Sequence, residues 1–145
     1  MTNISGNGLV VNLQANVTFP VGFEITQFAD DADPFDIPTQ TISETAMGLN
    51  GDMVVWTALS PIEISISVIP NSDDDKNLST LFEANRGGKD KRVAKDVITL
   101  TGIYPDNKKI QLVNGAIISG NSGLSIASAG RMKSKTYVFR FENKN

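Results

Sequence analysis

Apolar and polar positions alternate most regularly from Ile62 to Val68. Ile62, Ile64, Ile66 and Val68 fall on one side, Glu63, Ser65 and Ser67 on the other. Successive strand side chains face opposite ways, so this run predicts a strand with one apolar and one wet face. Pro70 ends it. Ser72 followed by Asp73, Asp74 and Asp75 reads as a helix start, because serine caps open N–H groups and negative charge suits the positive end of the helix dipole. Leu78, Leu81 and Phe82 then form one apolar stripe at helical spacing. Arg86 and the pair Gly87-Gly88 mark its end. The unit predicts a sheet with a single helix docked on it.

The rest of the chain is largely strand pattern. Leu9–Phe19 and Phe23–Phe28 alternate on either side of Pro20-Val21-Gly22, which predicts a hairpin turning at those three residues. Residues 29–40 break the pattern with four aspartates and two prolines around Phe35 and Ile37. Pro34 and Pro38 disfavour helix and central strand, leaving either a solvated loop or an arm that orders against a partner. Thr41–Met47 is extended, and Asn50-Gly51 predicts a tight turn with positive φ at both residues. Met53–Leu59 is a short apolar strand whose tryptophan, Trp56, is expected in the core. Residues 87–95 form a glycine-led basic loop. Val97–Tyr104, Lys109–Ser119 and Thr136–Phe141 are further strands, the first two joined by a turn at Pro105–Lys108 and the second kinked at Asn114-Gly115. Leu124–Ala129 has a weaker strand pattern.

Length and composition narrow the picture. The 145 residues predict one domain spanning 1–145, with a projecting acidic loop at about 29–41 and a basic loop at about 87–95. A net charge of −3 argues against a dedicated nucleic-acid binder. The chain has no cysteine and no histidine, which removes disulfides, thiol nucleophiles, the commonest metal ligand and the commonest general base. No phosphate-cradling loop, nucleophile elbow or calcium-loop spacing is present; helix capping accounts for Asp73–Asp75 without a metal. No enzyme activity, cofactor or metal is expected. The first residues lack a secretory pattern and no apolar run is long enough to span a bilayer, so a soluble protein without membrane binding is expected.

Taken in order, these elements carry a resemblance. The run Ala46–Ser67, AMGLNGDMVVWTALSPIEISIS, is followed by a polar break, a helix like Asn77–Asn85, strands like Val97–Leu100 and Ile110–Val113, and an aromatic strand at Tyr137–Phe141. The whole resembles the tail-tube proteins of contractile-tailed bacteriophages and related contractile injection systems over most of residues 10–142. The resemblance implies a mainly β fold, an antiparallel β-sandwich or half-barrel with one flanking helix, assembling six to a ring. Rings would stack and meet other tail proteins such as tube neighbours, sheath or baseplate, with DNA passing transiently and without specific binding. The expected setting is the virion tail, after synthesis in the host bacterial cytoplasm. On this reading Glu63, Ser65, Ser67, Thr99 and Thr101 are lumen-lining candidates. Asp30, Asp31, Asp33, Phe35 and Ile37 of the acidic loop, and Lys89, Lys91 and Arg92 of the basic loop, are inter-subunit contact candidates. The two charged loops match no common tube pattern, so a repeating tube subunit and a ring near the baseplate both stay open. The alternative is a monomeric β-sandwich binding module of tail-fibre or adhesin type that recognises a carbohydrate or protein surface.

Overall fold

The computed structural model describes residues 4–30 and 32–145. Its elements run β1 (Val10–Ala15), β2 (Phe19–Ile25), β3 (Phe35–Asp36), β4 (Ser43–Met47), β5 (Met53–Thr57), β6 (Ile62–Val68), α1 (Asp73–Asn85), β7 (Ile98–Ile103), β8 (Lys109–Ser119) and β9 (Lys135–Lys144). Seven strands make one antiparallel sheet in the order β2-β1-β7-β8-β9-β6-β3, while β4 and β5 pair only with each other. The mainly β fold with one flanking helix is the one expected.

β8 is the spine of the sheet. Lys109–Leu112 and Gly115 pair with β7, and Leu112–Ser119 pairs with β9. At the break in the β7 pairing Asn114 takes φ 55°, the kink expected at Asn114-Gly115. Glycine is required at 115 because the Phe141 ring lies where a Cβ would stand. The sheet curls until its ends meet. After β2 the chain crosses to β6, where Phe28 bridges Val68 and the Ala29 N–H donates to the Ser67 carbonyl at 3.0 Å. β3 adds Phe35 and Asp36 beside Ile66 and Ser65. The Phe35 ring then reaches Tyr104, at the far end of β7, with centroids 6.4 Å apart. The result is a half-barrel with its apolar face inward, filled by Leu13, Ile64, Leu100, Leu112, Tyr137 and Phe139 among others.

The first hairpin differs from expectation. Pro20, Val21 and Gly22 lie within β2, and the turn falls at 16–18. The three residues form an irregularity opposite Gln14, with Gly22 at φ 87° and the Gln14 Nε2 donating to the Pro20 carbonyl at 2.7 Å. A bulge uses the same residue types as a turn, so composition alone did not separate them.

α1 closes the half-barrel with Leu78 and Leu81 wholly buried, each stabilising by about 1.5–3 kcal/mol. Ser72 caps it, accepting from the Asp75 N–H at 3.2 Å. Its carboxylates do more than suit the dipole. Asp74 accepts from the N–H groups of Thr26 and Gln27 at 2.8 and 2.7 Å, fixing the chain as it leaves β2. Asp75, 3% exposed, meets the buried Lys135 ammonium at 3.3 Å and accepts from the Tyr137 hydroxyl at 3.0 Å. At the other end, Asp96 accepts from the N–H groups of Val17 and Thr18, both at 2.9 Å, from the Thr18 hydroxyl and from the Asn85 amide. Burial alone would raise the Asp96 carboxyl; hydrogen bonds from Thr18, Asn85 and the turn backbone outweigh it and hold it below the usual range.

Candidate assembly surfaces

The polar face of the sheet points away from the core. Glu63, Ser65, Thr99 and Thr101 all lie on it, as expected from their alternation with Ile64, Ile66, Ile98 and Leu100. Ser67 points the same way but is 3% exposed. Its hydroxyl bonds Thr136 at 2.9 Å, its N–H donates to the Pro34 carbonyl and its carbonyl accepts from the Ala29 N–H, so the crossing segment covers it. Residues not anticipated complete the face. Asn12, Gln14 and Gln111 join Thr99 and Thr101 around a shallow depression of about 230 Å³. Arg140 stands opposite Glu63 across the β6–β9 pairing, with Nε 3.6 Å from the carboxylate. The register places the cation beside an anion, leaving that part of the face close to neutral. Asn12 and Gln14 alternate with buried Val11 and Leu13, a signal present in the sequence.

The charged loops are less free than expected. Asp30 pairs with Arg131 at 2.7 Å, and that hydrogen bond and charge hold its carboxyl below the usual range. Phe35 is not a projecting anchor: its backbone pairs with β6 and its half-buried ring packs on Tyr104, because an apolar ring beside an open core edge is stabilised by covering it. Ile37 and Asp33 are exposed, and Asp31 lies outside the described residues. In the basic loop, the Lys91 ammonium is hydrogen-bonded to the Glu83 carbonyl at the end of α1, whereas Lys89 and Arg92 are exposed.

The largest departure is the β4–β5 hairpin. Every residue of both strands is exposed, including Trp56 at 46%. Trp56 therefore lies outside the core, opposite Glu44. The pairing puts Met47 and Met53 on one face with Thr45 and Val55, and Trp56 on the other with Ala46 and Val54. Both faces carry apolar residues and neither rests on the half-barrel. The loop also differs from a two-residue turn. Leu49, Asn50 and Gly51 connect the strands, with Gly51 alone at positive φ, 90°. The Gly48 N–H donates to Asp52 and the Gly51 N–H to Gly48, giving a three-residue connection. The root is tied by Gln40 Nε2 to the Ser60 carbonyl and by the Ser60 hydroxyl to the Thr41 carbonyl. Met53-Val54-Val55-Trp56 has no wet face, so both sides of the strand need cover, from a core or from a partner alike.

A second apolar surface lies between the segment before β1 and the β7–β8 turn. Leu9, Phe35, Tyr104 and Pro105 line a groove of about 480 Å³ together with Ile4 and the charged residues Asp106 and Lys108. Burial raises the Tyr104 hydroxyl above its usual pKa.

The curled antiparallel half-barrel with one docked helix is a fold shared with solved structures. It is similar, at 11% identity and a TM-score of 0.59, to a chain of the anti-feeding prophage (AFP) baseplate solved with six-fold symmetrisation, covering 100% of this chain and 95% of that one. It is also similar, at 12% identity and a TM-score of 0.57, to a chain in the PVC sheath/tube terminator of an extracellular contractile injection system in its extended state, covering 100% and 96%. The resemblance to tail-tube-fold proteins thus holds at the level of fold. Residues 2–145 match the family described as Tail fiber protein gp32 (E217_Gp32), and the chain belongs to that family. No curated protein sequence matches it. Among the described residues no helix is long and apolar enough to cross a membrane.

Proposed function

We propose that this chain is a non-enzymatic structural protein of a phage tail that assembles with copies of itself into a ring at the tube or its baseplate-proximal end. The observation that carries the reading is the β4–β5 hairpin. A two-stranded hairpin is marginally stable by itself, and one with Met47, Met53, Val54, Val55 and Trp56 exposed loses solvation free energy until a partner covers it. The fold shared with a six-fold symmetrised baseplate supports six copies as the ring number. The outer polar face, with its amides, hydroxyls and the Glu63–Arg140 pair, suits a channel wall. DNA passes such a wall because few unpaired cations hold its phosphates. In this role the chain works in the virion tail, beside sheath, tube or baseplate proteins.

The test is sedimentation and negative-stain microscopy of concentrated protein, with Trp56 fluorescence recorded in parallel. Rings and a blue shift of emission on association are expected. A monomer at every concentration sinks the reading. The family's description as a tail fiber protein favours a second reading, a binding module on which the hairpin grips a fibre or receptor. It would be preferred if the protein stays monomeric and Trp56→Ala abolishes capture of such a partner.

A further inference from the structure

We propose that the tip of the β4–β5 hairpin seats in the groove between Leu9, Phe35, Tyr104 and Pro105 of a second copy of this chain. The inference rests on the self-assembly reading above and names the surface that receives the hairpin.

The two surfaces have matching shape and chemistry. Leu49 stands at the apex of the hairpin, fully exposed, and Met47 and Met53 flank it as a cross-strand pair, 67% and 61% exposed. Together they make an apolar knob. The groove is the complementary hollow: about 480 Å³, walled by the edge-to-face Phe35–Tyr104 pair. A thioether beside an aromatic edge is a favourable contact, and aliphatic carbon on a ring face buries well. The hairpin does not fill the groove of its own molecule, since Leu49 touches nothing there.

Charge sets the orientation. From Thr41 to Ser60 the hairpin carries Glu44 and Asp52 and no lysine or arginine. Asp52 adjoins the apex, next to Met53. The charged residues of the groove are Lys108 and Asp106; Lys108 is 82% exposed at its side chain and paired with Asp106 only at 3.7 Å, and Lys109, outside the groove, follows it. An exposed pair of that length is easily exchanged for a new partner. Seating Leu49 against the rings allows Asp52 to meet Lys108. Knob and groove occupy different parts of the chain, so the contact suits a head-to-tail arrangement, and repeated head-to-tail contacts make rings or stacked arrays.

Because the chain has no cysteine, the contact can be read by cross-linking. Leu49→Cys and Pro105→Cys, each at an exposed position, are prepared separately, mixed and gently oxidised. A disulfide needs Cβ atoms about 3.5–4.5 Å apart, so it reports close approach. The mixed dimer is expected in excess over both like-with-like dimers and over a mixture of Leu49→Cys with Lys89→Cys. Asp52→Lys and Lys108→Asp should each weaken association about tenfold, and the two changes together should restore it. Assembly without an excess of the mixed disulfide, or without charge-swap rescue, overturns the groove assignment and leaves self-assembly standing. A protein that does not associate at all overturns both.

Discussion

The turn at 16–18 has no core of its own, and its hold on α1 depends on Asp96. Oδ1 accepts two backbone N–H groups at 2.9 Å; Oδ2 accepts the Thr18 hydroxyl at 2.5 Å and the Asn85 amide at 2.8 Å. Asp96→Asn keeps an oxygen for the backbone donors but turns an NH₂ toward Oδ2's partners. The Thr18 hydroxyl can rotate to accept it. The Asn85 amide cannot, because its nitrogen only donates and its one oxygen already accepts the Asp96 N–H at 2.9 Å. One charge-assisted bond is lost and one donor is left facing another. With water reaching part of the turn, the expected loss is about 2 kcal/mol, a fall in Tm of roughly 6 °C. The sign with pH follows from the lowered carboxyl. Its stabilisation is fully present above the ordinary value of 3.8 and is lost as pH falls through the lower folded value. Urea unfolding of both proteins, followed by circular dichroism from about pH 7 to about pH 3, should show the gap between them closing in acid. A gap below about 0.5 kcal/mol at neutral pH, or one unchanged in acid, refutes the assignment of Asp96 as a charged clamp.

Other outcomes are expected from the same geometry. Gly115→Ala drives a methyl into the Phe141 ring and should cost about 2–3 kcal/mol in chemical denaturation, with the kink of β8 preventing an easy shift. Burial raises both tyrosine hydroxyls, Tyr104 and Tyr137, so native tyrosinate absorbance should appear only above the ordinary value of 10.0, and stability should be lost as pH rises through the folded values. Burial would lower Lys135, but hydrogen bonding and charge from Tyr137 and Asp75 outweigh it and raise it, which places its loss in the same alkaline range. A native titration matching free tyrosine would contradict that packing. Glu63→Lys replaces an exposed pair with Arg140 by a repulsion and should cost under about 1 kcal/mol while leaving the fold intact; its effect should appear in genome passage through assembled tails. A variant that unfolds, or tails that eject DNA normally, would remove Glu63 from the channel wall.

Much of the half-barrel was legible in the chain. The alternation of β6 and β7, the stripe of α1, the Ser72 cap and the Asn114-Gly115 kink are local signals, and local signals survive folding. Three features were not legible, each for a physical reason. Trp56 belongs to a strand without a wet face, and apolar residues awaiting a partner look the same as apolar residues entering a core. Pro20–Gly22 has a composition shared by bulges and turns. Asp74 and Asp75 have ordinary N-terminal positions on α1; only the path of the chain brings Thr26, Gln27, Lys135 and Tyr137 to their oxygens. Of the candidate site, the polar strand face was legible from β6 and β7 alone. Arg140 came from register, and Ser67 was lost to the crossing segment that covers it.

The long reach of the sheet's pairings also governs when this protein becomes itself. Asp96 fastens a turn 79 residues earlier, and Ser67 meets Thr136 across 69 residues. β6 waits for β9, and β1 waits for β7. As the ribosome delivers the strands, the early ones have no companions, and such distant pairings make folding slow. The sticky hairpin emerges well before the half-barrel can close behind it. An interrupted product would then display the ribbon without the Tyr104 groove. It would be a fragment able to cling and unable to receive, a defect that quality control in the host has reason to remove quickly.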